Sequence, residues 1–177
     1  MNKAFTLIEL LISLAIIAII LVFSFYQYSQ LKISQAESLM VQLQQLVIYA
    51  QLQSIKENTP ITVCPIDVHG KCIDNWTQPV IVFTDPEKIH LIKRRSTILK
   101  KWEQQIHLSG QLKFSAFSSS RYITLVPLGL AGQQNGTFIY CDNSTVTPLH
   151  YGLSISKTGR TRLLWQDDNY FEEANRC

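Results

Sequence analysis

The first 59 residues contain neither proline nor glycine, and charge is almost missing from the first 30, where only Lys3 and Glu9 carry any. The lack of helix breakers leaves nothing to interrupt a helix. The lack of charge from Phe5 to Phe25 leaves a run whose only polar residues are Thr6, Glu9, Ser13 and Ser24. At a rise of about 1.5 Å per residue that run spans roughly 30 Å, the thickness of a bilayer core. Other things are missing too. There is no phosphate-binding glycine loop, and His69, His90, His107 and His150 sit in no nucleophile, metal or acid/base motif. Asp167-Asp168 and Glu172-Glu173 are adjacent carboxylates in a polar tail, which reads as a solvated surface. No catalytic residue, metal site or cofactor is expected. A net charge of only +3 excludes a strongly basic protein.

The apolar run is longer than the core of a secretory signal, and Tyr26-Gln27-Tyr28-Ser29-Gln30 makes a poor cleavage site after it. A plain membrane anchor leaves Glu9 unexplained, because a charge at membrane depth costs a few kcal/mol and normally has a partner. After Tyr26 the apolar residues Ala36, Leu39, Met40, Leu43, Leu46, Val47 and Ala50 recur at steps of three and four. That spacing predicts one face of a helix. One long helix is therefore expected from Phe5 to about Lys56, ended by Asn58-Thr59-Pro60.

Beyond Pro60 the pattern is of short β-branched runs: Ile61–Val63, Pro79–Phe83, Tyr122–Val126, Thr137–Tyr140, Leu153–Ser156 and Arg162–Trp165. Turn signals such as His69-Gly70, Asn135-Gly136 and Thr158-Gly159 separate them. Short strands, one long helix and no β-α-β alternation give an α+β fold with mostly antiparallel sheets. The expected organisation is a leader over 1–4, a transmembrane stretch over 5–25, the amphipathic part of the same helix over 26–57, and a β-rich domain over 58–177.

Lys3 lies on the short side of the apolar run and is expected to stay cytoplasmic, which puts the domain outside, where disulfides form. Four cysteines allow three pairings. Cys64 and Cys72 bracket a short loop that closes easily, leaving Cys141 with Cys177. A metal site from Cys64, His69 and Cys72 matches no common zinc spacing.

Basic residues gather between Lys88 and Lys113, at Lys88, Lys93, Arg94, Arg95, Lys100, Lys101 and Lys113. For that stretch a solvated face is the plainer reading. The segment Lys157-Thr158-Gly159-Arg160-Thr161-Arg162 is more specific. Thr158-Gly159 suits a hairpin turn, so Arg160 and Arg162 stand two apart on a strand, on one face, about 6.6 Å from each other. That is close to the gap between neighbouring phosphates on an extended strand, and arginine forks suit phosphate oxygens.

Lys3-Ala4-Phe5-Thr6-Leu7-Ile8-Glu9-Leu10 resembles the recognition site of the type IV prepilin peptidase. That resemblance implies cleavage between Ala4 and Phe5, methylation of the new amine, and a role for Glu9 in placing the subunit in a filament. Val63-Cys64, Val82-Phe83-Thr84-Asp85, Val126-Pro127-Leu128-Gly129 and the closing Ser156–Arg162 segment resemble the GspH/FimT family of pilins and pseudopilins. Where that family carries Gly-Trp before the Val-Phe strand, this chain has Trp76 followed by Gln78-Pro79. FimT-like members bind DNA with a Gly-Arg-x-Arg motif, which Gly159-Arg160-Thr161-Arg162 fits.

The resemblance implies a minor pilin, inserted in the inner membrane with its domain in the periplasm and then built into an extracellular type IV pilus. Its partners would be the prepilin peptidase, other pilins and non-specific DNA taken up in natural transformation. Arg160, Arg162, Lys157 and Gly159 would contact that DNA, with Lys113 and Arg121 as further candidates. The alternative is an H-type pseudopilin of type II secretion that binds no DNA.

Mass spectrometry of the protein isolated from membranes is expected to give a chain that begins at Phe5 with a methylated amine. A chain beginning at Met1, or beyond residue 25, contradicts this.

Overall fold

The computed structural model describes residues 6–93, 97–103, 110–119, 121–142 and 149–165. Ala4, Phe5 and Cys177, which carry three of the sequence expectations, lie outside the described residues, as do Arg94 and Arg95.

The expected long helix is present as α1 (Leu7–Lys56). It starts on a reciprocal cap. The Thr6 hydroxyl accepts from the Glu9 amide at 3.4 Å, and the Glu9 carboxylate accepts from the Thr6 amide at 3.5 Å. This is the Thr-x-x-Glu capping box, which satisfies two of the orphan donors at a helix start. Glu9 thus has a partner in its own chain, beside any that a filament provides. Asn58 ends the helix region in a left-handed conformation (φ 48°) just ahead of Pro60.

The chain divides into two compact units, Met1–Ser34 and Gln35–Cys177. In the first, Leu7–Ser24 forms an apolar helical stretch with a mean hydropathy of 2.9 and no burial within the chain. It is long and apolar enough to cross a membrane.

The second unit holds the rest of α1 and two four-stranded antiparallel sheets. The strands are β1 (Ile61–Pro65), β2 (Val80–Thr84), β3 (Ile98–Trp102), β4 (Gln111–Ala116), β5 (Ile123–Leu125), β6 (Gly136–Asp142), β7 (Leu149–Ile155) and β8 (Thr161–Leu164). The first sheet has the order β3-β2-β1-β5 and the second β4-β6-β7-β8. Both lean on α1, whose Ala36, Leu39, Met40, Leu43, Leu46, Val47 and Ala50 are buried, as the spacing predicts.

In the first sheet β1 and β2 are buried on both faces, which is why they read as unbroken apolar runs. One face turns to α1, where Trp102 donates to the Gln42 amide oxygen at 3.2 Å. The other packs Cys64, Cys72, Ile81 and Phe83 beneath the Cys64–Cys72 loop, with Tyr122 beside them. The Cys64–Cys72 bridge is formed, with Cα atoms 5.5 Å apart, which uses both thiols that a metal site would have needed. Asp67 ties the loop inside it by accepting from the amides of His69 (2.8 Å) and Lys71 (2.9 Å), and the Lys71 amide foremost holds its carboxyl below the usual range. Cys141, on β6, is disulfide-bonded as well.

In the second sheet, Leu112, Phe114, Phe138, Tyr140, Tyr151 and Leu153 are buried. Trp76 comes in from the β1–β2 connection and meets Phe138 edge-on at 4.7 Å and Phe114 at 5.4 Å.

Two strands escape the sequence reading. β3 is an edge strand of pattern Ile-Leu-Lys-Lys-Trp, with too few β-branched residues to stand out. β4 alternates exposed and buried residues cleanly, but it lies in a stretch whose charge draws attention away from its period of two.

Candidate nucleic-acid interface

The Lys157–Arg162 segment is the link between β7 and β8. The Gly159 amide donates to the Ser156 carbonyl at 2.9 Å, and the Ser156 amide donates to the Arg160 carbonyl at 2.9 Å. With Gly159 at φ +77°, this is a tight turn closed by a left-handed residue, the geometry of a three-residue hairpin loop. A side chain at that position would be strained. It would also have no room, since an added Cβ would meet the Gly129 carbonyl oxygen and come within 2.6 Å of the Gln51 amide nitrogen.

The turn is fixed from three sides. The Lys157 carbonyl accepts from the Ala131 and Gly132 amides at 3.1 and 3.2 Å. Gln51 of α1 donates to the Gly129 carbonyl at 2.8 Å, and Ser54 donates to the Val126 carbonyl at 3.0 Å. Gln44 donates to the Thr161 hydroxyl at 3.2 Å. Gln44, Gln51 and Ser54 are the residues that sequence reading missed. The signal was a polar residue repeating at a seven-residue interval, 44 and 51, beside the buried stripe.

Thr161 and Tyr151 face α1, since Tyr151 donates to a Glu37 carboxylate oxygen at 3.4 Å. Strand alternation then turns Arg162 to the outer face of the sheet, and Arg160, in the turn just before β8, is exposed as Arg162 is. Lys157 is exposed at the tip.

The two weaker candidates stand apart. Lys113 is exposed on β4 and shares the outer face with Arg162, because Lys113 pairs through Ile139 and Gly152 to the row of Leu164, next to the row of Ser154 and Arg162. Three strand spacings of about 4.8 Å still separate their strands. Arg121 precedes β5, at the end of that strand remote from the Val126–Gly132 loop that meets Lys157.

The other basic residues are scattered. Lys93 pairs with Glu87 at 2.8 Å and Lys101 pairs with Glu103, while Lys100 lies 5.0 Å from the Tyr49 ring centre. Among the described residues, Lys157, Arg160 and Arg162 are the basic side chains brought to one tight turn. No group of three His, Cys, Asp or Glu side chains fit to hold a metal ion comes together among them.

Comparison with known families adds to this geometry. The family described as Type II transport protein GspH matches residues 40–159. The chain belongs to the GspH family. A second match, the prokaryotic N-terminal methylation motif, covers residues 1–25. Two crystal forms of the type IV minor pilin FimU of Pseudomonas aeruginosa (strain PAO1) share the fold. One gives a TM-score of 0.54 at 19% identity over 72% of this chain and 87% of that one. The other gives 0.51 at 18% identity over 72% and 91%. No curated protein sequence matches. Within this GspH-family domain, the matched region ends at Gly159, so the two arginines lie just past it.

Gly159→Ala is expected to cost about 1–3 kcal/mol, read by denaturation of the full chain in detergent. Gly132→Ala is the comparison, since Gly132 also has a positive φ (+58°) but nothing within 4 Å of an added Cβ. It should cost less. Equal losses would mean that Gly159 is not closely packed.

Proposed function

We propose that this GspH-family chain is a minor pilin of a type IV pilus that binds DNA through its phosphate backbone during natural transformation. The prepilin peptidase would cut before Phe5, and Leu7–Ser24 would hold the subunit in the inner membrane. Lys3 would face the cytoplasm and the β-rich domain the periplasm until assembly. Exposed Ile48, Leu52 and Ile55 recur at helical spacing on α1, and Leu128 is exposed at 79% near them, an apolar surface suited to packing against other pilins. Cys177 is the proposed partner of Cys141.

The observation that carries the DNA reading is the held turn. Two exposed arginines, two residues apart, and a lysine at the tip stand on one braced turn, a spacing suited to successive phosphates. Such contacts give sequence-tolerant binding of modest, roughly micromolar, affinity. Several subunits on one filament would raise it by avidity. The rival reading is the pseudopilin of type II secretion, favoured by the description of the matching family. The exposed arginine pair and the FimU-like fold favour the pilus.

Labelled DNA titrated with the full chain in neutral detergent at low salt decides between them. Arg160→Gln with Arg162→Gln should lower affinity about tenfold or more, taking about 1.5–3 kcal/mol per charged contact as the upper range. Lys100→Gln with Lys101→Gln removes the same net charge and should lower it much less. Equal losses would reduce the motif to part of a diffuse field, and no binding by the wild type would favour the secretion pseudopilin.

A further inference from the structure

Between Asp85 and Leu91 the chain makes a turn that uses two left-handed residues, Lys88 (φ 53°) and His90 (φ 57°). Glycine or asparagine would adopt those angles with less strain. The strain is held in place by Asp85, which is buried. Its carbonyl accepts from the Lys88 amide at 3.0 Å, and its carboxylate accepts from the amides of Ile89 (3.0 Å) and His90 (2.9 Å). The same carboxylate accepts from the Thr62 hydroxyl at 3.0 Å, and Thr62 is in turn bonded to Thr124 at 3.0 Å. Backbone held this firmly in sparsely populated angles is concentrated at functional sites. Here its effect is to fix where a lysine and a histidine stand.

Both side chains line a cavity of about 250 Å³. Thr124, Val126, Gln133 and Gln134 line it with them. The His90 ring is stacked on Tyr122, with centroids 3.5 Å apart and planes 16° from parallel. Burial is the main cause that holds the His90 imidazole below its ordinary value, against the nearby Asp85 charge that raises it. The cavity lining therefore combines a flat imidazole ring, the apolar Val126, two amides able to donate and accept, and a lysine. Its lining is continuous with the arginine turn, because two of the lining residues, Ala131 and Gly132, donate their backbone amides to the Lys157 carbonyl.

We propose that this cavity takes one unstacked nucleobase of a DNA strand whose phosphates run along Lys157, Arg160 and Arg162. The proposal rests on the DNA reading given above and extends it from phosphate to base. A base has the flat face, the polar edge and the attached phosphate that this lining suits, and stacking on a ring is tolerant of sequence. A base can enter only when it is out of its stack, so the cavity favours single strands.

The test uses the full chain in neutral detergent and three labelled probes of equal length: a single strand, the same sugar–phosphate strand built from abasic residues, and the duplex. The wild type should bind the abasic strand about fivefold or more weakly than the normal strand, the lower bound for losing one stacked base. Gln133→Ala with Gln134→Ala, which leaves charge unchanged, should lose affinity for the normal strand and match the wild type on the abasic strand and the duplex. Equal binding of normal and abasic strands, with the Arg160 and Arg162 variant still impaired, would overturn the cavity and leave the phosphate contact standing. So would a glutamine variant that loses equally on all three probes. Failure of the wild type to bind any probe would overturn both.

Discussion

One stretch of α1 has to serve two sheets that share no strand pairing. Residues 36–50 bury one apolar stripe between them, and polar residues beside the stripe bond to each: Gln42 to Trp102 of the first sheet, and Gln44 to Thr161 of the second. A glycine or proline there would cost about 1–3 kcal/mol in the helix alone and would move both sheets. The absence of both residues up to Thr59 follows from that double duty as much as from the apolar span that precedes it. The arrangement also explains why the arginine turn is held so closely. Gln51 and Ser54 continue the same side of α1 into the Val126–Gly129 loop, against which Gly159 is packed.

The proposed mode of DNA contact draws its strength from this rigidity. Long cationic side chains lose rotamer freedom when they bind, and an exposed ion pair returns little. A backbone that already stands in the right place removes part of that cost. Scattered lysines such as Lys93 and Lys101, each beside a carboxylate, have no comparable support. The Asp85 network plays the equivalent part for the neighbouring cavity. The Val-Phe-Thr-Asp run is thus not only strand sequence, since its last residue organises the next turn.

Much of this was legible in the residues. Helix, class and the buried stripe follow from spacing, because the period of 3.6 is written over many turns. The Cys64–Cys72 loop follows from its shortness. The turn at Gly159, with Arg162 on the strand after it, follows from the Thr158-Gly159 signal. What could not be read were relations across the chain. Lys113 and Arg121 look alike in sequence, but one shares the outer face of the sheet that holds Arg162 and the other lies just before a strand of the other sheet. The buttress of Gln44, Gln51 and Ser54 joins residues more than 70 positions apart, and nothing local marks it. Trp76 is a loop residue by every local signal, yet its ring is 1% exposed, because only tertiary packing brings it to Phe114 and Phe138.

The central claim is that two arginines on one held turn each neutralise a DNA phosphate. The most direct measurement is the slope of log affinity against log salt for the full chain and for its Arg160→Gln, Arg162→Gln variant. Each phosphate contact contributes a slope of about −0.7 on single strands to −0.9 on duplex. The account predicts a variant slope shallower by about 1.4 to 1.8. Parallel lines for the two proteins would contradict it, since the arginines would then displace no counterions.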